Sequence, residues 1–219
     1  MIRVTAFRWV PPFAQGLVRD LRVRWALEEA GLPYEEHLIG PEDQKSDRYR
    51  ALQPFGQVPV LEEDDDAMFE SGAIVLHLAE RSATLMPDEA HERERVRTWM
   101  FAALSTIEPP ILTLANIDLQ PGGVAEGTMP LRDAVAGRVS LRLDSLVKYL
   151  GDHAYLVADR FSAADLLMTT VLRQLRNTDF VAQRPTLDAY KKRNEERPAF
   201  VKALAAQLAV FAKHAPPAR

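Results

Sequence analysis

Cysteine is absent from this 219-residue chain, which excludes disulfide staples, thiolate metal sites and any nucleophile on a protein sulfur. Sulfur chemistry, if the protein performs any, has to arrive on a substrate. Histidine is scarce too: His37, His77, His91, His153 and His214 are scattered, without the spacing of a metal-binding pair, and no metal is expected. Charge of one sign is not concentrated. The formal net charge is -4 with both signs mixed along the chain, so there is no basic stripe to neutralise a phosphate backbone, and nucleic acid is not expected as a partner. No segment approaches the ~18 apolar residues of a membrane span, and the start, MIRVTAFRWVPPFAQG, has no apolar stretch after its positive charge. A cytoplasmic protein with no membrane partner is the expectation.

What is present is 47% apolar residues, enough for one large core or two modest ones. The first third alternates element types. Residues 2 to 8 read as a strand with Ile2, Val4 and Ala6 on one side, and residues 16 to 31 as a helix with Leu17, Val18, Leu21 and Trp25 at helical spacing and Gly31 as its stop. PYEEHLIG is a second strand, and a strand, helix and strand of this length imply a parallel pair with a right-handed crossover. After the polar stretch PEDQKSDRYRAL, VPVL and AMF flank an acidic turn as an antiparallel hairpin, followed by the helix SGAIVLHLAERS. The order βαβαββα is thioredoxin-like. From Met86-Pro87-Asp88 onward only helices are expected, over 89 to 118, 128 to 150, 162 to 177, 186 to 195 and 198 to 213, with Pro109-Pro110 kinking or interrupting the first. In RFSAADLL, Ser162 and Asp165 resemble a capping box, and Phe161 and Leu166 a hydrophobic staple.

Two segments jointly carry a resemblance. LQPFGQVPVLEEDDDAMFESGAIVLHLAE and YLVADRFSAADLLMTTVLR, in this order, together with RVRWALEEAGLPYE, look like the signature regions of cytosolic glutathione transferases. The resemblance implies an α/β plus all-α protein: a thioredoxin-like glutathione-binding domain at 1–83, a linker at 84–91, and an all-helical domain at 92–219 that contributes the electrophile pocket. It also implies glutathione as co-substrate and a homodimer, with Phe55 as an aromatic anchor at the subunit boundary.

Site residues carry over by position. Pro59 matches the family's cis-proline, which leaves the backbone of Val58 open to the cysteinyl unit of glutathione; a trans bond there would undo the assignment. Ser71 would cap the following helix, whose N–H groups and dipole attract the γ-glutamyl carboxylate, while Glu70 faces the ammonium. Gln44 and Lys45 fall where a His-Lys pair binds the glycyl carboxylate. Each has a plainer reading, as an edge proline, a helix cap, a first-turn carboxylate or a solvated surface residue.

The thiol activator departs from the family pattern. A thiol with a pKa near 8.5 is only a few per cent ionised at neutral pH and needs a donor or positive potential beside the sulfur. Many members place Tyr, Ser or Cys at the start of the first helix; Leu17 stands there instead, and WVPPFAQGLVRD contains no such residue. Three substitutes stay open: Arg19 in the first helical turn, backbone N–H groups at 15 to 18, and Thr5 in the strand. Trp9 either packs over the site or shields the core.

The function implied is a glutathione transferase joining the glutathione thiolate to a small, soft, hydrophobic electrophile, with peroxidase or disulfide-reducing side activity as a further expectation. Trp99, Phe101 and Leu104 are candidates to line the electrophile pocket, although core packing explains them equally. The alternative is a non-catalytic binding or regulatory protein on the same fold, which the missing hydroxyl favours.

Overall fold

The computed structural model describes residues 1–120, 124–214 and 216. The chain forms two compact units, Met1–Met86 with Glu196–Arg219, and Pro87–Glu195. The last helix thus clusters with the first third of the chain.

In the first unit, strands β1 (Ile2–Phe7), β2 (Tyr34–Ile39), β3 (Val60–Glu63) and β4 (Asp66–Phe69) make one sheet in the order β2-β1-β3-β4. β1 and β2 are parallel, with Ile2 opposite Tyr34 and Phe7 opposite Ile39. β3 runs antiparallel to β1, and β4 antiparallel to β3, with Val60 opposite Phe69. Between the strands lie α1 (Asp20–Ala30), α2 (Pro41–Lys45) and α3 (Asp47–Leu52), and α4 (Ser71–Ala79) follows the hairpin. This is the expected βαβαββα order, with its second helical segment split at Ser46. Ser46 accepts from the Tyr49 N–H as the cap of α3.

Two local expectations change. α1 starts at Asp20 instead of residue 16, because Pro11 and Pro12 favour a short 3-10 turn at Pro12–Ala14 and Gly16 then turns back with φ 77. Nor is α1 amphipathic: every residue from Asp20 to Leu27 is buried, since the helix packs against β1, α4 and the last helix. Gly31, at φ 66, ends it as a left-handed cap.

The second unit holds α5 (Ala90–Ala102), α6 (Glu108–Asp118), α7 (Met129–Leu150), α8 (Ala163–Leu172) and α9 (Pro185–Glu195); α10 (Pro198–Lys213) belongs with the first unit. The first expected helix is interrupted just ahead of Pro109 and Pro110, without ending the helical run. A π-helical turn at Ala103–Ile107 joins α5 to α6, and the carbonyls that the two prolines cannot serve belong to the exposed Ser105 and Thr106. The joined stretch Ala90–Asp118 corrects the statement that no segment has the length and apolarity of a membrane span: it contains an 18-residue window of mean hydropathy 1.3. The charged residues 92 to 95 and Arg97 at its head hide that run in the sequence. A core helix of a soluble protein passes the same test, and α5 packs on α8 and α6 on α7.

Asp165 organises the second unit. One carboxylate oxygen accepts from the Ser162 N–H at 3.0 Å and the Ser162 hydroxyl at 2.9 Å; the other accepts from the Leu156 N–H at 2.9 Å and the Tyr190 hydroxyl at 2.9 Å. Burial pushes its carboxyl up to about 6 in spite of these donors. Phe161 and Leu166 are both buried beside it, as a hydrophobic staple requires.

Candidate active site

The strand directions gather the candidate residues at one end of the first unit's sheet. β1, β2 and β4 finish there and β3 begins there, and ligands of open α/β sheets bind outside the carboxyl ends of the parallel strands. A cleft of about 230 Å³ opens at that end, lined by Phe7, Arg8, Trp9, Val10, Ile39, Gly40, Pro41 and Gln44.

The Val58–Pro59 bond is cis. Extending the register in which Val60 faces Phe69 sets Val58 and Pro59 beside Glu70 and Ser71. Val58 is buried with Ile39, Tyr49 and Val60, against Phe69 and Leu52. The Tyr49 hydroxyl donates to the Gln57 carbonyl, and burial pushes that phenol up to about 12, so it remains a neutral donor. These contacts anchor the loop, and Ile39 among them also lines the cleft.

Glu70 is exposed and holds a positive φ of 69, a backbone region costly for a residue with a Cβ. It is the residue that caps α4, so Ser71 is the first residue inside the helix and not its cap. Ser71 is only 5% exposed, and its hydroxyl oxygen accepts from Arg22 Nη1 at 3.2 Å. With its acceptor side engaged, the hydroxyl hydrogen is left to point elsewhere.

Gln44 and Lys45 separate. Gln44 lines the cleft and donates to the Gly56 carbonyl, which ties α2 to the turn ahead of Val58. Lys45 is 72% exposed and its nearest acid is Glu42 at 3.9 Å. The cation lining the cleft is Arg8, which donates to the Leu38 carbonyl at 3.3 Å and approaches Asp43 at 3.5 Å. Sequence reasoning passed over Arg8, which looks like a strand-end charge, and Arg22, which a helix buried on one side only would have left in solvent. The adjacent pair Arg22 and Arg24 in an otherwise apolar run was the available signal.

Arg19 is the cap of α1, outside its first turn, and half-buried. Asp20 follows it, wholly buried, accepting from Arg24 Nε at 2.7 Å and from Gln207 Nε2 at 2.7 Å. Burial raises the Asp20 carboxyl, while Arg24, which also donates to Glu36, is held more firmly charged by both acids. Thr5 lies in mid-strand, fully buried and paired with His37, so the sheet encloses it. Trp9 lines the cleft. In the other unit Trp99 packs on Tyr149 with ring centroids 4.3 Å apart, Phe101 is exposed, and Leu104 lies in the π turn. No group of three or more metal-ligating side chains occurs among the described residues.

Known proteins bear on this geometry. Residues 21–86 match the family model of the glutathione S-transferase N-terminal domain and residues 96–198 that of the C-terminal domain. Glutathione S-transferase F14 of Arabidopsis thaliana is 30% identical over 194 residues, covering 81% of this chain and 76% of its own length. The chain belongs to the glutathione S-transferase family. Glutathione S-transferase 3 of Zea mays is a further relative of this transferase, 29% identical over 85% of this chain and 88% of its own. Among solved structures, glutathione transferase F7 of Populus trichocarpa superposes with a TM-score of 0.80 at 25% identity, covering 95% of this chain and 99% of that one. A Burkholderia graminis glutathione transferase, solved with two glutathione molecules bound per subunit, gives a TM-score of 0.80 at 25% identity over 94% of this chain and 88% of that one. The thioredoxin-like and helical halves are those of the family.

Proposed function

We propose that the transferase binds glutathione at the carboxyl end of the sheet and joins its thiolate to a small, soft, hydrophobic electrophile. The observation that carries this reading is the strand register that sets Val58 beside Glu70, Ser71 and the head of α4, at the end of the sheet where Arg8 and Gln44 line a cleft. Val58 offers its backbone N–H and C=O to the cysteinyl unit. The N–H groups at the head of α4, with the Ser71 hydroxyl as a further donor while its oxygen accepts from Arg22, take the γ-glutamyl carboxylate. Glu70 takes the ammonium. Arg8, with Gln44 beside it, supplies charge for the glycyl carboxylate, and Lys45 adds a weaker, solvated contribution.

Arg19 and the backbone N–H groups of loop 8–19 stabilise the thiolate. The sulfur lone pair then forms the S–C bond to the electrophilic carbon as the bond to the leaving group breaks. With an aryl chloride the thiol proton goes to solvent and chloride departs. These steps need no metal. The same thiolate supports peroxide or mixed-disulfide reduction as a side reaction, and the protein works as a cytoplasmic homodimer in detoxification, with the 64% exposed Phe55 as an anchor at the subunit boundary.

The experiment is incubation of the purified protein with glutathione and a chloronitrobenzene, with mass detection of the adduct and chloride release. Adduct formation above the uncatalysed rate, lost in Ser71→Ala with Glu70→Ala, supports the reading. A rate equal to the background overturns it. The second reading, a regulatory protein that binds glutathione without conjugating it, is favoured by the lack of a side-chain hydroxyl in loop 8–19, and it predicts binding with background chemistry.

A further inference from the structure

We infer that Gln207, on α10, is a positioning residue for thiol activation: it grips the backbone on both sides of Arg19 and so fixes the groups that face the sulfur. The inference rests on the reading that loop 8–19 supplies those groups.

Gln207 is fully buried. Its amide nitrogen donates to the Val18 carbonyl at 3.2 Å and to Asp20 Oδ1 at 2.7 Å, the two residues that flank Arg19. Its oxygen Oε1 is buried and has no hydrogen-bond partner among the described residues. A buried polar atom left unsatisfied is destabilising, so leucine or methionine would serve packing alone better at this position. What an apolar side chain cannot do is hold residues 18 and 20.

The loop is held in part from within, Gln15 Nε2 donating to the Val10 carbonyl at 3.1 Å, and in part from α10. It consists of a proline-rich 3-10 turn, a left-handed glycine, and a helix cap that makes no side-chain capping bond. One turn further along α10, Val210 and Phe211 pack against Val10, with Phe7, Ala14, Val18 and Leu38 around them. At the opposite end of α1, Arg197 grips Glu29 through two bonds of 2.6 and 2.7 Å, and Phe200 meets Trp25 edge-on at 4.8 Å. α10 is therefore aligned along α1 from end to end, and Gln207 is the point at which that alignment reaches the candidate activating segment.

A purely structural role, satisfying the buried Asp20, would alter stability and leave the sulfur alone. The test is a pH titration of thiolate absorbance for glutathione bound to the full chain, with kcat and KM measured alongside, for the unaltered protein, Gln207→Met, Gln207→Asn, Arg19→Ala and the double variant Arg19→Ala with Gln207→Met. The glutamine variants are expected to raise the bound thiol's pKa by about half a unit to one unit, lowering kcat at neutral pH about 3- to 10-fold while KM for glutathione changes less than about 2-fold. In the Arg19→Ala background Gln207→Met adds no further shift if the effect runs through Arg19. A shift with Gln207→Met but none with Arg19→Ala also supports the inference and assigns the effect to backbone N–H groups. If Arg19→Ala shifts the titration and both glutamine variants titrate like the unaltered protein, the inference is overturned and the reading of the loop survives. If the unaltered protein binds no glutathione, both are overturned; if it binds glutathione and no variant shifts the thiol, the inference alone is overturned. Gln207→Asn, which keeps the polar group but is too short to reach both partners, gives the answer if Gln207→Met does not fold.

Discussion

Asp20 and Asp165 are both buried acids in the first turn of a helix, and burial raises the carboxyl of each. They are satisfied in opposite ways. Asp165 finds its donors on Ser162, Leu156 and Tyr190, all within 25 residues and two of them in the same short motif. Asp20 takes one donor from Arg24, a turn along its own helix, and the other from Gln207, 187 residues away. The first arrangement is a local folding device that specifies a helix start. The second joins distant parts of the chain at the place where chemistry is proposed, and its stability and function are correspondingly entangled.

The largest effect is expected from Asp165→Ala. It leaves two backbone N–H groups, the Ser162 hydroxyl and the Tyr190 hydroxyl without their acceptor, at a cost of about 3–5 kcal/mol, read from urea unfolding. Asp20→Ala removes one acid from the buried Arg24 but leaves Glu36, so a loss of about 2–4 kcal/mol is expected. A smaller loss for Asp165 than for Asp20 would reverse the comparison.

Next come changes in affinity and chemistry. Ser71→Ala with Glu70→Ala should weaken glutathione binding by about 10- to 100-fold in calorimetry. Arg8→Ala should weaken it by about 3- to 10-fold, and the exposed Lys45→Ala by no more than about 2-fold. A larger effect at Lys45 than at Arg8 would return the glycyl carboxylate to the lysine.

A further effect is in pH dependence. The Asp165 carboxyl sits at about 6 in the folded protein against 3.8 unperturbed, so the folded state binds the proton more tightly. Its contribution to stability is full below the unfolded pKa and is lost as pH rises through about 6. The difference in unfolding free energy between the unaltered protein and Asp165→Asn should therefore change over that window and stay flat above it. A flat difference throughout would mean that the four donors cancel the burial.

The same contrast explains what the sequence made legible. The capping box and staple around Ser162 and Asp165 could be read because every partner lies within a few residues. The βαβαββα order could be read from hydrophobic period and turn residues. Val58, Pro59, Glu70 and Ser71 come from the family resemblance, and the hairpin carries them to neighbouring positions. The start of α1 was misplaced because the apolar period continues into Leu17 and Val18, which pack as loop residues. Arg8 and Gln207 carry no local signal: a charge at a strand end and a glutamine among alanines look like surface until tertiary packing buries or aims them.

On the proposed reading, this cysteine-free chain binds glutathione at the carboxyl end of its sheet and makes the thiol a nucleophile without a side-chain hydroxyl in loop 8–19. The most direct measurement is the thiolate titration of glutathione bound to the unaltered protein. A pKa at least about one unit below the ~8.5 of a free thiol is the predicted result; bound glutathione that titrates like free thiol would contradict it.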